Sequence, residues 1–330
     1  MTSATTVPVA AGRRRGGPWL AFARRRVPRF LLSLWVVITA AFLMIHLVPG
    51  DPVRAALGLT ASPELVAARR AALGLDQPLP VQYWHYLGNL FRGEFGTSML
   101  SGLPVSELIT DRLPATVELA VLAFLVVLVV AVPVGVLMAV CTKGGRRRGA
   151  ELGFTTTSVF LAAIPEFLLA VGLMSLFAVQ LEWLPVAGRE QAGSTVLPVL
   201  AMAVGPAAVL ARIVRVELLS VLGNDFIRTA RAKRLPARLI YLRHALPNAL
   251  TASLTLAGML LPALVAGTVL VENVFAWPGL GSTIVSSIQQ QDYPAVQAIV
   301  LVYGAGVLLV NLLVDALLAL LDPRSEIREA

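Results

Sequence analysis

Six apolar stretches constrain this chain more than any other feature. They cover residues 30–48, 119–141, 154–181, 196–214, 250–271 and 295–321. Each is near or above the ~20 residues an α-helix needs to cross a bilayer. Within hydrocarbon, every backbone N–H and C=O must find a partner inside the structure, so only helices or a closed barrel can span it. A barrel would show alternating segments of about ten residues, and nothing here alternates. The chain is therefore read as an all-α integral membrane protein with six transmembrane helices. Composition agrees: 57% of residues are hydrophobic and 14% charged, against about 25% charged in a soluble domain.

The basic residues orient these spans. Twenty-one of the 27 Lys and Arg fall in 1–29, 142–153, 212–243 and 322–330, and six fall in the remaining loops. By the positive-inside rule the first set is cytoplasmic. Both termini then lie in the cytoplasm, as an even number of spans requires. The net charge of +8 is spent on this asymmetry, so nucleic acid is not an expected partner, whereas anionic membrane lipid is. Arg25-Arg26-Val27-Pro28-Arg29 imitates a twin-arginine export signal. The apolar run behind it exceeds a 7–15-residue signal core and no small-x-small cleavage site ends it, so 30–48 is expected to be an uncleaved first helix.

The organisation read from this pattern is a basic cytoplasmic segment 1–29, a first helix 30–48, an external segment 49–114, a five-helix core 115–321 and a tail 322–330. In the external segment, Pro49-Gly50-Asp51-Pro52 stops the first helix. Ser62-Pro63-Glu64 reads as an N-cap for a helix to Leu73 closed by Gly74. Residues 81–91 form an amphipathic helix whose Tyr83, Trp84 and Tyr86 are expected to anchor at the membrane interface. The second span is expected to open at 113–116. Gly172, Gly205, Gly258, Gly267 and Gly304 allow close helix contact, with Ala257-Gly258 and Ala266-Gly267 on one packing face. A short helix over 282–290 precedes the last span.

The segment 225–248 is a basic island within the core. Asp225 is placed to N-cap a helix to about Leu235, Pro236 breaks or restarts it, and a second helical stretch covers 237–246. Arg228, Arg231, Lys233, Arg234, Arg238 and Arg243 exclude it from hydrocarbon, since an Arg at a membrane-helix centre costs roughly 2.5–3.5 kcal/mol. The small Thr229, Ala230 and Ala232 would let another protein pack closely against it.

Catalytic and metal chemistry are not indicated. The sequence holds one Cys and three His without metal-ligand spacing, and no G-x-x-x-x-G-K-[ST] loop to cradle ATP phosphates. Ionisable residues in membrane segments are functional candidates by default. Glu118 and Glu272 are expected near the external ends, within reach of water, and Glu166 near the internal mouth of the third span. Trp277 joins these three as a possible translocation-pathway residue. Glu217 is expected to pair with Arg212 or Arg215, and Asp315 to bond to a neighbouring helix.

Between the fourth and fifth spans, Ala230, the position of Arg234 and Leu246-Pro247 resemble the cytoplasmic coupling loop of ABC-transporter permeases. Along nearly its whole length the chain resembles the dipeptide/oligopeptide (peptide/nickel) permease family. The strings are L-V-P-G-D-P at 47–52, G-L-D-Q-P-L-P-V-Q-Y-W at 74–84, G-E-F-G-T-S at 93–98 and R-L-P-A-T-V-E-L at 112–119. They continue with W-L-P-V-A-G at 183–188, V-E-N-V-F-A-W-P-G-L-G at 271–281, D-Y-P-A-V-Q at 292–297 and L-L-D-P-R at 320–324. The resemblance implies a type I ABC importer-like permease in the plasma (bacterial inner) membrane, importing peptides or similar small solutes by alternating access. It implies ATPase coupling through Asp225, Thr229, Ala230, Ala232, Lys233, Arg234, Leu235, Leu246 and Pro247. The implied partners are a second homologous permease, two ATP-binding subunits (or one fused) and an extracytoplasmic solute-binding protein. This chain would bind no cofactor itself, with ATP and Mg on the partner subunits. The family has glycine where this chain has Arg234. An L-residue does not adopt a left-handed turn cheaply, so Pro236 could supply the bend, the loop could bend differently, or an acidic group on the ATPase could compensate. The alternative function is a secondary transporter or channel subunit, against which stands the lack of matching broken helices and of a buried proton relay.

Overall fold

The computed structural model describes residues 18–47, 53–54, 61–72, 74–145 and 147–321. The readings made for 1–17, for Pro49-Gly50-Asp51-Pro52, for Leu73 and for the tail 322–330 lie outside the described residues. Helix α1 covers Pro18–Leu47, so the arginines from Arg24 to Arg29 ride on the first helix rather than preceding it. Two external helices follow, α2 (Pro63–Ala72) and α3 (Leu79–Phe91). Ser62 caps α2 as read, its hydroxyl accepting the Leu65 N–H at 3.3 Å, and Gly74 follows the helix at φ +67.

Helix α4 (Val105–Thr142) starts well before the expected 113–116. Its 38 residues make a rod of about 57 Å at 1.5 Å per residue, longer than a hydrocarbon core of about 30 Å. The first turns are polar because they stand outside the membrane, so hydropathy alone misses them. Helices α5 (Arg148–Ala163), α6 (Glu166–Leu173, prolonged by a π turn Met174–Gln180), α7 (Val196–Val221) and α8 (Asp225–Ala232) come next. The turns Ala237–Leu239 and Ile240–Ala245 lead into α9 (Leu246–Val274), followed by α10 (Leu280–Gln289) and α11 (Tyr293–Leu321).

Among the described residues five helices are long and apolar enough to cross a membrane, and α5 and α6, bent by 94° at their junction, pass the same test as a pair, giving up to six spans. The expected straight third span 154–181 is therefore broken. Pro165 is the cause: it drives Ile164 to an extended backbone (φ -71, ψ 122) and lacks the N–H that would continue the ladder.

The most extensive helix contact joins α4 to α7. A Cβ on Gly135 would lie 2.6 Å from the Ala211 carbonyl oxygen and 2.7 Å from Val214 Cβ. Ala131, Ala203, Ala207 and Ala211 line the same seam, so small residues bring the two backbones together. Among the expected contact glycines, Gly258 meets Val314 of α11, Gly267 meets Glu166 of α6 and Gly304 meets Val37 of α1. Gly258 and Gly267 thus serve two faces of α9 rather than one, and Gly172 has nothing within 4 Å. Gly205 has only the Leu161 carbonyl, at 3.9 Å.

Ion pairs tie the cytoplasmic ends. Arg26 of α1 meets Asp315 of α11 at 2.6 Å, the neighbouring-helix bond expected for Asp315. Buried Arg215 pairs with Glu151 of α5 at 2.6 Å and bonds Thr142 of α4 at 3.1 Å. Its partner is thus a residue of another helix and not Glu217, as the sequence suggested.

Candidate functional site

The basic island opens with the short helix α8, laid across the cytoplasmic ends of the bundle, and its second stretch is helical as read, over Ala237–Leu239 and Ile240–Ala245. Ile227, with no exposed surface, and Ala230 point inward. They meet Ala139 of α4, Leu218, Val221 and Leu222 at the end of α7, and Ala245 and Ala249 at the start of α9. Arg231 fastens the helix by donating to the Leu222 carbonyl at 3.2 Å. The outward side carries Asp225, Arg228, Thr229, Ala232, Lys233 and Arg234, all exposed, with Phe226 among them. Ala230 therefore seats the helix and does not offer a surface to a partner. Leu246 and Pro247 open α9 directly behind this seat.

Asp225 is not the N-cap. Asn224 occupies that position (φ -70, ψ 155), and Asp225 stands in the first turn, 3.1 Å from Arg228. A carboxylate there is favoured by the helix dipole. The turn that ends α8 is built on Arg234 itself, at φ 55. Its N–H bonds to the Arg231 carbonyl at 2.9 Å, and the Leu235 N–H reaches the Ala230 carbonyl at 3.3 Å. That pair of bonds is a Schellman C-cap, which normally carries glycine at the left-handed position. The loop thus bends where a glycine would bend it. Leu235 packs against the same cluster as Ala230, the apolar contact that accompanies the motif.

At the external end, α4, α9 and α10 are clamped together. Glu272 has no exposed surface, contrary to its expected contact with water. Its Oε2 accepts the N–H groups of Gly281 at 2.6 Å and Ser282 at 3.0 Å. These are free donors of the first turn of α10, and an anionic acceptor there also suits the dipole. Thr116 of α4 accepts the Leu280 N–H at 2.8 Å. A Cβ on Gly279 or Gly281 would run into the Glu272 carboxylate, which explains the glycines of W-P-G-L-G. Trp277, fully buried, donates from Nε1 to the Ala115 carbonyl at 3.0 Å. Glu118 pairs with Arg189 at 2.5 Å, and that guanidinium lies 5.9 Å from the Trp277 ring. Glu118, Glu272 and Trp277 are thus gathered in one bonded outer frame.

Glu166 is different. It opens α6 at the 94° break, with its carboxylate against Gly267 of α9. Among the described residues its Oε1 is buried and finds no hydrogen-bond partner, a lack it shares with Glu272 Oε1, whose other oxygen is bonded to α10. The sequence signal for this place was the Pro165-Glu166 pair within an apolar run.

Two solved chains of the MetNI methionine ABC transporter, in inward-facing conformations, share this fold. One is 22% identical at a TM-score of 0.53 and the other 21% at 0.51, each match covering 65% of this chain and 96% of the other. Residues 131–327 match the binding-protein-dependent transport system inner membrane component, and residues 19–120 match the N-terminal region of such membrane components. The chain is the multi-pass, inner-membrane permease of an ABC importer, a subunit that works with ATPase and binding-protein partners. It belongs to the binding-protein-dependent transport system inner membrane component family. Its relatives include the glutathione transport system permease protein GsiC of Pectobacterium atrosepticum, 39% identical over 299 residues (91% of this chain, 96% of that protein). The GsiC proteins of Salmonella typhi and Escherichia coli are 38% and 36% identical over 304 residues, 92% of this chain and 98% of each.

Proposed function

We propose that the chain forms half of an alternating-access pathway that imports peptides or similar small solutes. The second half is a related permease subunit. Two ATP-binding subunits, or one fused pair, hold ATP and Mg on the cytoplasmic side, and an extracytoplasmic binding protein delivers the solute. The observation that carries the reading is α8. Its apolar side is seated on α4, α7 and α9, while Asp225, Thr229, Ala232, Lys233 and Arg234 face the cytoplasm. A partner that moves α8 moves the ends of three helices at once, with Leu246 and Pro247 at the root of the third. The relatives named for glutathione transport support a small peptide-like solute.

Glu166 is the pathway residue singled out within this reading, with Glu118, Glu272 and Trp277 framing the outer mouth. An unsatisfied carboxylate oxygen at a broken span resembles the midplane sites of other transporters, and a solute ammonium would satisfy it. The test is reconstitution with the partner subunits in vesicles. ATPase activity should rise when the binding protein is loaded with glutathione or a dipeptide, and Glu166→Gln should lower uptake of such solutes. Uptake by this chain alone, driven by an ion gradient, would overturn the assignment.

A further inference from the structure

A cavity of about 220 Å³ opens between the outer end of α1, helix α3 and the start of α11, to one side of the coupling helix and the outer frame. Its walls include the rings of Phe42, Tyr86, Phe95 and Tyr293. Among the described residues neither Lys nor Arg lines it, Glu94 supplies the carboxylate, and His46 and His85 stand in the wall. Glu94 forms no ion pair among the described residues. The ring nitrogens of His46 each lie 3.1 Å from an acceptor, the Phe42 carbonyl and Gln82 Oε1; a neutral ring donates to one of them and an imidazolium to both.

Tyr86 is the unexplained group. Its ring packs on Phe42 at 5.6 Å, and its buried hydroxyl has no hydrogen-bond partner among the described residues. Neighbouring Tyr83, by contrast, bonds Thr39 at 2.8 Å. Burial pushes the Tyr86 phenol up to about 12, so it keeps its proton and lacks only an acceptor. Buried polar groups are rarely left so. On the other side of α3, Trp84 and Phe91 are 71% and 89% exposed, aromatic residues of the kind that anchor at a membrane interface.

We propose that this cavity binds a small zwitterion, its ammonium held over the aromatic rings against Glu94 and its anionic part accepting the Tyr86 hydroxyl. Ring faces and a carboxylate attract a cation and repel a lone anion, while the free hydroxyl calls for an acceptor beside it. Two sources carry that chemistry: a zwitterionic lipid headgroup and a free amino acid or short peptide.

The full chain, purified and delipidated in detergent, would be titrated calorimetrically with dihexanoyl phosphatidylethanolamine, dihexanoyl phosphatidylglycerol and glycylglycine. The expected result is that an ammonium-bearing probe binds and phosphatidylglycerol does not. Glu94→Gln should weaken that binding about tenfold, and Tyr86→Phe, which keeps the ring, about fivefold. Binding of the phosphatidylethanolamine identifies the lipid as the source. Binding of glycylglycine alone, weakened by the same variants, identifies a soluble zwitterion. The proposal is overturned if phosphatidylglycerol binds as tightly as the ammonium probes, if no ammonium probe binds, or if both variants, melting like the parent, bind unchanged.

Discussion

Arg234 holds a backbone conformation that costs an L-residue about 1–2 kcal/mol, at φ 55 in a turn made for glycine. The two Schellman bonds and the burial of Leu235 hold it there. Such strain persists where the surrounding structure over-determines it, and it clusters at functional positions. Its side chain is exposed, on the face proposed above for the ATPase. Backbone and charge can be separated with two variants. Arg234→Gly relieves the strain and removes the charge, and Arg234→Ala removes the charge alone. The glycine variant should melt above the alanine variant, while both should lose about two- to fivefold in stimulated ATPase activity, the loss matching a rim ion pair of about 0.5–1 kcal/mol. If both variants keep parental stimulation, the arginine makes no contact with the partner. The substitution of an expected glycine was legible in the sequence. The conformation was not, because Pro236 offered an equally reasonable bend.

At the scale of elements, the α4–α7 seam has no room for another atom at Gly135. A methyl group there would press on the Ala211 carbonyl and the Val214 side chain, and such overpacking typically costs about 1–3 kcal/mol. Gly135→Ala should therefore lower the melting temperature of the detergent-solubilised chain. Gly172→Ala, with nothing within 4 Å, should leave it unchanged. Equal melting of the two variants would refute the close packing. The spans themselves were readable, because twenty apolar residues in a row have few other uses. The break at Pro165 was signalled by its proline, yet prolines also occur in intact membrane helices, so composition alone could not decide it. The seating of α8 on Ile227 and Ala230, and the capping of α10 by Glu272, depend on contacts between distant segments, which hydropathy does not encode. For the same reason Glu272 looked like a wetted acid when it is a buried cap.

Across the whole molecule, α4 and α9 connect the two ends. Each runs from the seat of α8 on the cytoplasmic side, through Ala139 and Ala249, to the outer frame, through Ala115 and Thr116 on α4 and Glu272 on α9. A force applied to α8 therefore reaches the α10 clamp along two continuous helices rather than through loops. Contiguity alone does not establish coupling, so the claim needs a double-mutant cycle. Ile227→Val loosens the seat by removing one buried methylene, and Glu272→Gln weakens the anionic cap. The two sites share no partner, and independent effects at such a distance add to within about 0.5 kcal/mol. If α4 and α9 transmit the stroke, the loss of binding-protein-stimulated ATPase activity in the double variant should depart from the product of the single losses by about two- to thirtyfold, the range for a coupling of about 0.5–2 kcal/mol. Strict additivity would mean that the outer clamp is structural only.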